Sequence, residues 1–329
     1  VCERIRGARD ISGQINSVDD IKRLITPDKL TKTALLRLIN TIFDPLMYFV
    51  QVKCILNLTY RKALRLSGKI GWNDLVNPAI MPDVITAVTM LLEIRDIEIP
   101  RYAAQGITGN EAHLCISSDG GLEASCCRLF LRYPTADGIK CNYLIGGVKL
   151  ASPGGSQAPK SETSAGLMAL RAAKLVVTHF TAIKITRIFL VSDSMVFLGG
   201  VSSDSAQQKL YYRERNHFSR LLIKDLDVTL MHTFSEFCDS DAGSKFSTTN
   251  LAKTETYWHS FFFREGIESW PCRVYTFQDE HVTSTILNPQ MQVRALVTRI
   301  SQTLTDNIVN RRNSFREMVK ILSYILNWL

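Results

Sequence analysis

The chain has 329 residues, 46% of them hydrophobic and 21% charged, which is enough apolar material for a sizeable core and excludes a disordered tail. Lys and Arg number 39 against 31 Asp and Glu, a formal charge of +8, so any acidic cluster sits in a net positive field that suits a polyanionic substrate; charge alone fits many other basic proteins equally well. The eight cysteines include no pair at the two-to-four-residue spacing of a zinc knuckle or ribbon, and read as free thiols in a reducing, cytoplasmic compartment.

Residues 1–30 carry mixed charge and weak periodicity, and read as a leader left from an upstream domain. The chain opens without Met or a secretory signal, as a piece of a longer product would. From Thr31, Leu35, Leu36, Leu38, Ile39 and Ile42 recur at helical spacing until Asp44-Pro45 interrupts them, and a second apolar helix follows. With a further helix over Met81–Ile94, residues 31–110 read as a helical domain of thumb or connection type. The most apolar windows are Thr41–Leu58 and Met318–Leu329. The first contains Asp44 and Lys53 and the second is too short, so no membrane-spanning helix is expected.

The pattern changes near Glu111. His113–Ser118, Cys126–Tyr133 and Lys140–Ala151 read as an antiparallel meander, with Thr135-Ala136-Asp137-Gly138 as the second turn. After a Pro/Gly/Ser loop, Ser161–Phe180 reads as a helix whose Glu162, Gly166, Ala169 and Ala173 share a face, with Glu162 in the first turn near the positive end of the dipole. The run Ile188-Phe189-Leu190-Val191 predicts a strand buried on both faces. A helix over Lys209–Lys224, a fifth strand over Asp227–His232 and a helix from Asp241 complete residues 111–253. The fold class is therefore α/β, with a mixed five-stranded sheet and flanking helices. Residues 254–329 read as a helical extension.

Asp119, Glu162, Asp193 and Asp241 each fall where a strand ends or a helix begins. Phosphodiester hydrolysis needs an activated water and a stabilised leaving oxygen, which two Mg²⁺ ions roughly 4 Å apart can supply from a nest of carboxylates. Any one such Asp is more often a helix cap or turn residue, as Asp193-Ser194 illustrates. Four in this order favour a site.

At these residues the chain resembles the ribonuclease H domain of BEL/Pao-type retrotransposon polyproteins. Ile42-Phe43-Asp44-Pro45-Leu46 and Gly71-Trp72-Asn73-Asp74 resemble the family's "FDPLG" and "W-D-D" segment after the polymerase palm, and Ile99-Pro100-Arg101 its entry into the domain. Pro159-Lys160-Ser161-Glu162 resembles P-R-x-E, Ser192-Asp193-Ser194-Met195-Val196 resembles D-S-x-x-V, and His232 with Asp241-Ala242-Gly243-Ser244-Lys245 resembles H-V-P…N-P-A-D-L-A-S-R. Tyr257-Trp258 through Trp270-Pro271 and Arg311-Arg312-Asn313-Ser314-Phe315 resemble the stretch that leads toward the integrase. The sequence departs from the pattern at Ser125-Cys126, where the family has an aromatic-glycine pair, and at Cys238-Asp239-Ser240-Asp241, where it has N-P-A-D.

The resemblance implies a ribonuclease H-like fold and a nuclease that cuts the RNA strand of RNA/DNA hybrids. Its metal ligands would be Asp119, Glu162, Asp193 and Asp241, holding two Mg²⁺ ions with Mn²⁺ as a substitute. His232 would lie near the site, although a core histidine at a strand end fits the pattern equally well. Neighbouring polymerase and integrase domains of the polyprotein are the implied protein partners, inside the cell or in virus-like particles. Arg128, Arg132, Lys209, Arg213, Arg215 and Arg220, with Tyr211, Tyr212 and His217 interleaved, are candidates for phosphate and 2′-hydroxyl contacts; a solvated helix face over buried aromatics fits the last seven as well. The alternative is a degenerate or domesticated module that keeps the fold as an interaction scaffold, or a spacer between polymerase and integrase.

Overall fold

The computed structural model describes residues 17, 19–20, 23, 25–40, 42, 44–100, 102–152, 158–203 and 208–275. Most of the expected leader, part of the Pro/Gly/Ser loop, Phe43 and Arg101 of the quoted motifs, and the expected extension beyond 275 with its Arg311–Phe315 motif lie outside the described residues.

Helix α1, Lys32–Ile39, starts where the Thr31 hydroxyl accepts the Ala34 N–H at 3.1 Å. The break at Asp44-Pro45 is used twice. Proline stops the apolar run, and the Asp44 carboxylate accepts the N–H groups of Tyr48 and Phe49 at 2.9 and 2.8 Å, just ahead of α2, Val50–Ser67. Asn77 caps the short turn Pro78–Ile80 that leads into α3, Met81–Ile94.

The expected meander is present as β1 (Glu111–Gly120), β2 (Ala124–Thr135) and β3 (Gly138–Leu150). Then come α4 (Ala158–His179), β4 (Lys184–Ser192), α5 (Met195–Ser202), α6 (Leu210–Leu226) and β5 (Val228–Thr233). With a last short strand β6 (Cys272–Val274), the sheet order is β3-β2-β1-β4-β5-β6, with β1, β4 and β5 mutually parallel and the other pairings antiparallel. This is an α/β ribonuclease H-like arrangement with a mixed sheet.

Three expectations are corrected. The sheet has six strands rather than five, because β6, Cys272–Val274, pairs with the free edge of β5. The segment carrying Asp241 is a 3-10 turn, Asp239–Gly243, and not the start of an α-helix. Helix α4 begins at Ala158, which moves Glu162 from the first turn to the second.

Side chains alternate across the strands and build a core on each face. Leu114, Ile116, Leu129 and Leu131 face Ala169, Leu170, Ala173 and Val176 of α4. Cys115 and Phe130, from the intervening positions, join Val50, Ile55, Tyr143, Phe263 and Trp270 on the other face. Each such fully buried apolar side chain contributes about 1.5–3 kcal/mol. The second face is also pinned by polar contacts: Tyr143 Oη donates to Met47 O and Tyr257 Oη to Tyr48 O, both at 2.7 Å. Gln51 joins α2 to the chain at Thr249 and Leu251 with bonds of 2.6 and 2.9 Å. Among the described residues, no helix is long and apolar enough to cross a membrane.

Candidate active site

The parallel pairing of β1 with β4 sets Ser118 opposite Ser192, so Asp119 and Asp193 follow each other's neighbours at the carboxyl ends of adjacent strands. Ser192 is in turn opposite His232 on β5. Ligands of open α/β sheets gather at this end of the strands. The turn at Asp193 is held by side-chain bonds: Ser192 Oγ donates to Ser118 O at 3.1 Å and accepts the Ser194 N–H at 3.2 Å.

Glu162 reaches the same end because Gly120 lets α4 come down onto β1. A Cβ at Gly120 would lie 2.1 Å from Glu162 N, a distance no side chain tolerates. Ser125 Oγ fastens the same turn by donating to Ser161 O at 2.9 Å. Ser194 then orients the acid itself: its hydroxyl donates to Glu162 Oε2 at 2.6 Å while accepting the Phe197 N–H at 3.0 Å as the cap of α5.

Asp241 arrives from the 3-10 turn. Ser240 N donates to Ser117 Oγ at 3.0 Å and the Cys238 thiol lies on Ser117 and Ser118, which lays the turn along β1. Lys245, one turn later, donates to both Asp241 oxygens at 2.7 and 2.9 Å.

The electrostatics follow from this convergence. Asp119 is pushed up to about 6, first by burial and then by the charges of Asp193 and Asp241, with the Ser244 hydroxyl opposing the shift. Its Oδ2 is buried and has no hydrogen-bond partner. Glu162 is raised by burial and by Asp193, against the bond from Ser194. Burial would lower Lys245, yet contact with Asp241 and the fields of Asp119 and Asp193 hold it above its ordinary value. His232 is lowered by burial and Arg273, partly offset by Asp193, and its ring packs edge-on to Phe234 at 6.3 Å.

Residues 31–194 match a family model described as "Pao retrotransposon-like RNaseH-like domain". This region of the chain belongs to that family. The Pao-type match spans Asp119, Glu162 and Asp193 and ends one residue after Asp193, so Asp241 and Lys245 lie beyond it. A similar solved structure is the crystal structure of RNase H1 from the halophilic archaeon Halobacterium salinarum NRC-1, at 16% identity and a TM-score of 0.27, over 40% of this chain and 92% of that one. No curated protein matches the chain.

The donor set of this Pao-type region suits a divalent ion in its chemistry: the four acids offer hard oxygen ligands, and Asp119 keeps an unpartnered buried oxygen among them. Closure is another matter. Among the described residues no three His, Cys, Asp or Glu side chains stand close enough together to hold an ion, and the Lys245 ammonium already lies on Asp241.

Two expected phosphate contacts are corrected. Arg128 and Arg132 are buried, at 2% and 8% exposure, on the face opposite α4. Arg128 donates to the carbonyls of Asp239 (3.0 Å) and Tyr257, with the Tyr257 and Tyr143 rings 4.1 and 4.5 Å from its guanidinium carbon. Arg132 donates to Phe263 O at 2.8 Å and Glu265 O at 3.0 Å. Both fasten the chain from 239 to 265 onto β2. They alternate with Phe130, so period two put them on a face that the later chain covers. On α6, Tyr212 is buried, Arg215 lies 3.6 Å over the Tyr211 ring, Arg220 donates to Ser203 O at 2.6 Å, and Lys209 and His217 are exposed.

Sequence reasoning missed Gly120, Ser194 as a partner of Glu162, and Lys245. Only Gly120 left a signal: a glycine at a strand end marks close backbone approach. The bonds of Ser194 and Lys245 depend on where two separate segments land.

Proposed function

We propose that this chain is a divalent-metal-dependent endonuclease of ribonuclease H type that hydrolyses the RNA strand of RNA/DNA hybrids within a retrotransposon polyprotein, working in the cytoplasm or in particles assembled there. Asp119, Glu162, Asp193 and Asp241 are the proposed ligands and His232 a neighbouring group. The observation that carries the reading is Asp119: a buried carboxylate with an unpartnered oxygen, at a strand end, in the field of Asp193 and Asp241. Such a cluster is incomplete without a cation.

Divalent ions held there would supply the activated water and shield the leaving oxygen. The chain's own residues prepare for this. Ser194 fixes the Glu162 carboxylate, Ser192 fixes the backbone at Asp193, and Gly120 sets the separation of α4 from β1. Lys245 neutralises Asp241 until that oxygen pair is needed. We further propose that residues 31–110 serve as a connection segment, that 111–253 carry the nuclease, and that the segment from 254 leads toward a neighbouring integrase.

The test is Asp193→Asn. Cleavage of labelled hybrid in Mg²⁺ should fall by about a thousandfold, from the loss of several kcal/mol of charge stabilisation, while heat unfolding stays unchanged. Cleavage at the wild-type rate would end the assignment. A second reading, a non-cleaving scaffold descended from the nuclease, is favoured by the absence of a closed three-ligand group among the described residues. Tight hybrid binding by the wild-type chain without hydrolysis in either Mg²⁺ or Mn²⁺ would establish it.

A further inference from the structure

Helix α2 presents Arg61, Lys62 and Arg65 to a groove of about 310 Å³ on the flank of the sheet, lined also by Thr59, Glu123 and Phe246. The two acids that border it, Asp83 and Glu123, are already engaged. Lys62 Nζ lies 2.5 Å from Asp83, and the Glu123 carboxylate accepts the Phe246 N–H at 2.9 Å. Arg61 is held rigidly, donating to Ala151 O at 2.6 Å and Glu123 O at 3.2 Å. Arg65 is exposed and has no partner among the described residues. Thr59 is 2% exposed, yet its Oγ1 has no hydrogen-bond partner. A buried, unmatched hydroxyl beside two clustered guanidinium groups is costly unless an oxygen-rich anion meets it.

The position of the groove gives that anion its identity. Phe246, 37% exposed, lines this groove and also the neighbouring one that holds Asp241 and Lys245. The two depressions therefore adjoin across one aromatic side chain, and a chain of phosphates leaving the carboxylates over Phe246 would arrive at α2.

We propose that the α2 groove, with Arg61, Lys62, Arg65 and the Thr59 hydroxyl, binds the phosphodiester backbone of the polynucleotide engaged at the carboxylate cluster. This rests on the nuclease reading only for which polynucleotide is bound. Arg61 carries a proton less readily than usual, first because of partial burial and then because Arg65 repels it, a strain that a phosphate between them relieves. The helical segment ahead of the sheet thus grips the substrate as well as contributing to the core.

The experiment is hybrid binding by fluorescence anisotropy in EDTA, titrated at several salt concentrations, with the full chain and with Arg65→Ala and Arg65→Lys. Removing one phosphate contact should weaken binding about threefold to tenfold and reduce the slope of log K against log salt by about one. Arg65→Lys should restore the slope. Heat unfolding should not change, because Arg65 is exposed. Unchanged affinity and slope in Arg65→Ala would overturn the proposal whether or not the chain cleaves. Arg65-dependent binding of hybrid by a chain that never cleaves would keep the groove and remove the nuclease. Comparable Arg65-dependent binding of duplex DNA would extend the groove to any phosphodiester backbone. Arg65-dependent capture of polyglutamate, with no binding of either nucleic acid, would overturn it in favour of an acidic protein partner.

Discussion

Two charged clusters, one buried and one partly open, sit against the same sheet and are resolved in opposite ways. On the face opposite α4, Arg128 and Asp239 have opposite charges and dense partners: main-chain carbonyls and aromatic rings around the guanidinium, and the Ser260 hydroxyl donating to Asp239 Oδ2 at 2.6 Å. One atom of each, Arg128 Nε and Asp239 Oδ1, stays unpartnered. At the carboxyl ends of β1 and β4, Asp119 and Glu162 meet Asp193, all of one sign, and Lys245 bonds Asp241 directly while reaching Asp119 and Asp193 only through its field. The first cluster is a fastener whose charges answer each other. The second has more negative charge than Lys245 alone offsets, and Asp119 and Glu162 are raised as a result.

The largest expected effect breaks the fastener. Arg128→Met leaves two buried carbonyls and the Asp239 carboxylate without their cation, and should cost about 3–5 kcal/mol in urea unfolding. Asp193→Asn should shift stability by less than about 1 kcal/mol, because it removes a charge that repels Asp119 and keeps a polar side chain of the same shape. Equal losses in the two variants would erase the distinction between fastener and site. Next is Gly120→Ala. Its Cβ meets the backbone of Glu162 rather than a flexible side chain, so α4 must move, at about 2–3 kcal/mol. Hybrid cleavage measured well below the unfolding temperature should fall further than stability does, because the displaced element carries Glu162. A variant that cleaves normally would show that the approach of α4 to β1 is structural only.

Acidification reports on both clusters at once, and one substitution divides the effect between them. The folded-state pKa of Asp119 is raised, so between its ordinary 3.8 and about 6 the folded form holds a proton that the unfolded chain has released. Stability then falls as pH rises through that window. The shift corresponds to about 3 kcal/mol at most, and to about 1–2 kcal/mol once water and side chains rearrange around the charge. Metal-free protein should therefore melt at higher temperature at pH 5 than at pH 7.5. Asp239, raised to about 6 chiefly by burial, acts in the same direction. Asp119→Asn should remove the share due to the site and leave that of Asp239. A melting temperature with the same pH slope in wild type and Asp119→Asn would place the whole effect in the fastener.

What the sequence disclosed follows the range of the forces involved. The apolar runs of α1 to α4 and β1 to β5 were legible because periodicity is local. The convergence of Asp119 with Asp193 could be anticipated once the fourth strand was read as a neighbour of the first. The sixth strand was not legible, because three residues pairing with an edge carry no periodic signature. Nor were the roles of Arg128 and Arg132. An arginine on a strand reads as exposed until the chain from 239 to 265 folds over it, and the carbonyls that accept its protons come from more than a hundred residues away. Asp241 comes within the field of Asp119 on a different element from the expected helix, since Asp239–Gly243 forms a 3-10 turn tied to Ser117.

The smallest expected effect lies far from both clusters and calibrates them. Asp227 closes α6 in the left-handed conformation, φ 51° and ψ 53°, and donates its N–H to Ile223 O. This position favours glycine, because a Cβ there crowds the following carbonyl by about 1 kcal/mol. The residue is exposed, so Asp227→Gly loses no packing. Glycine's greater freedom in the unfolded chain takes back part of the gain, and the net stabilisation should be about 0.5 kcal/mol. Because Asp227 also begins the turn into β5, the strand that carries His232, cleavage should be unchanged if α6 only supports the sheet. A variant that is more stable but cleaves more slowly would show that the end of α6 is mechanically coupled to the carboxylates through β5, and that the supporting layer belongs to the site.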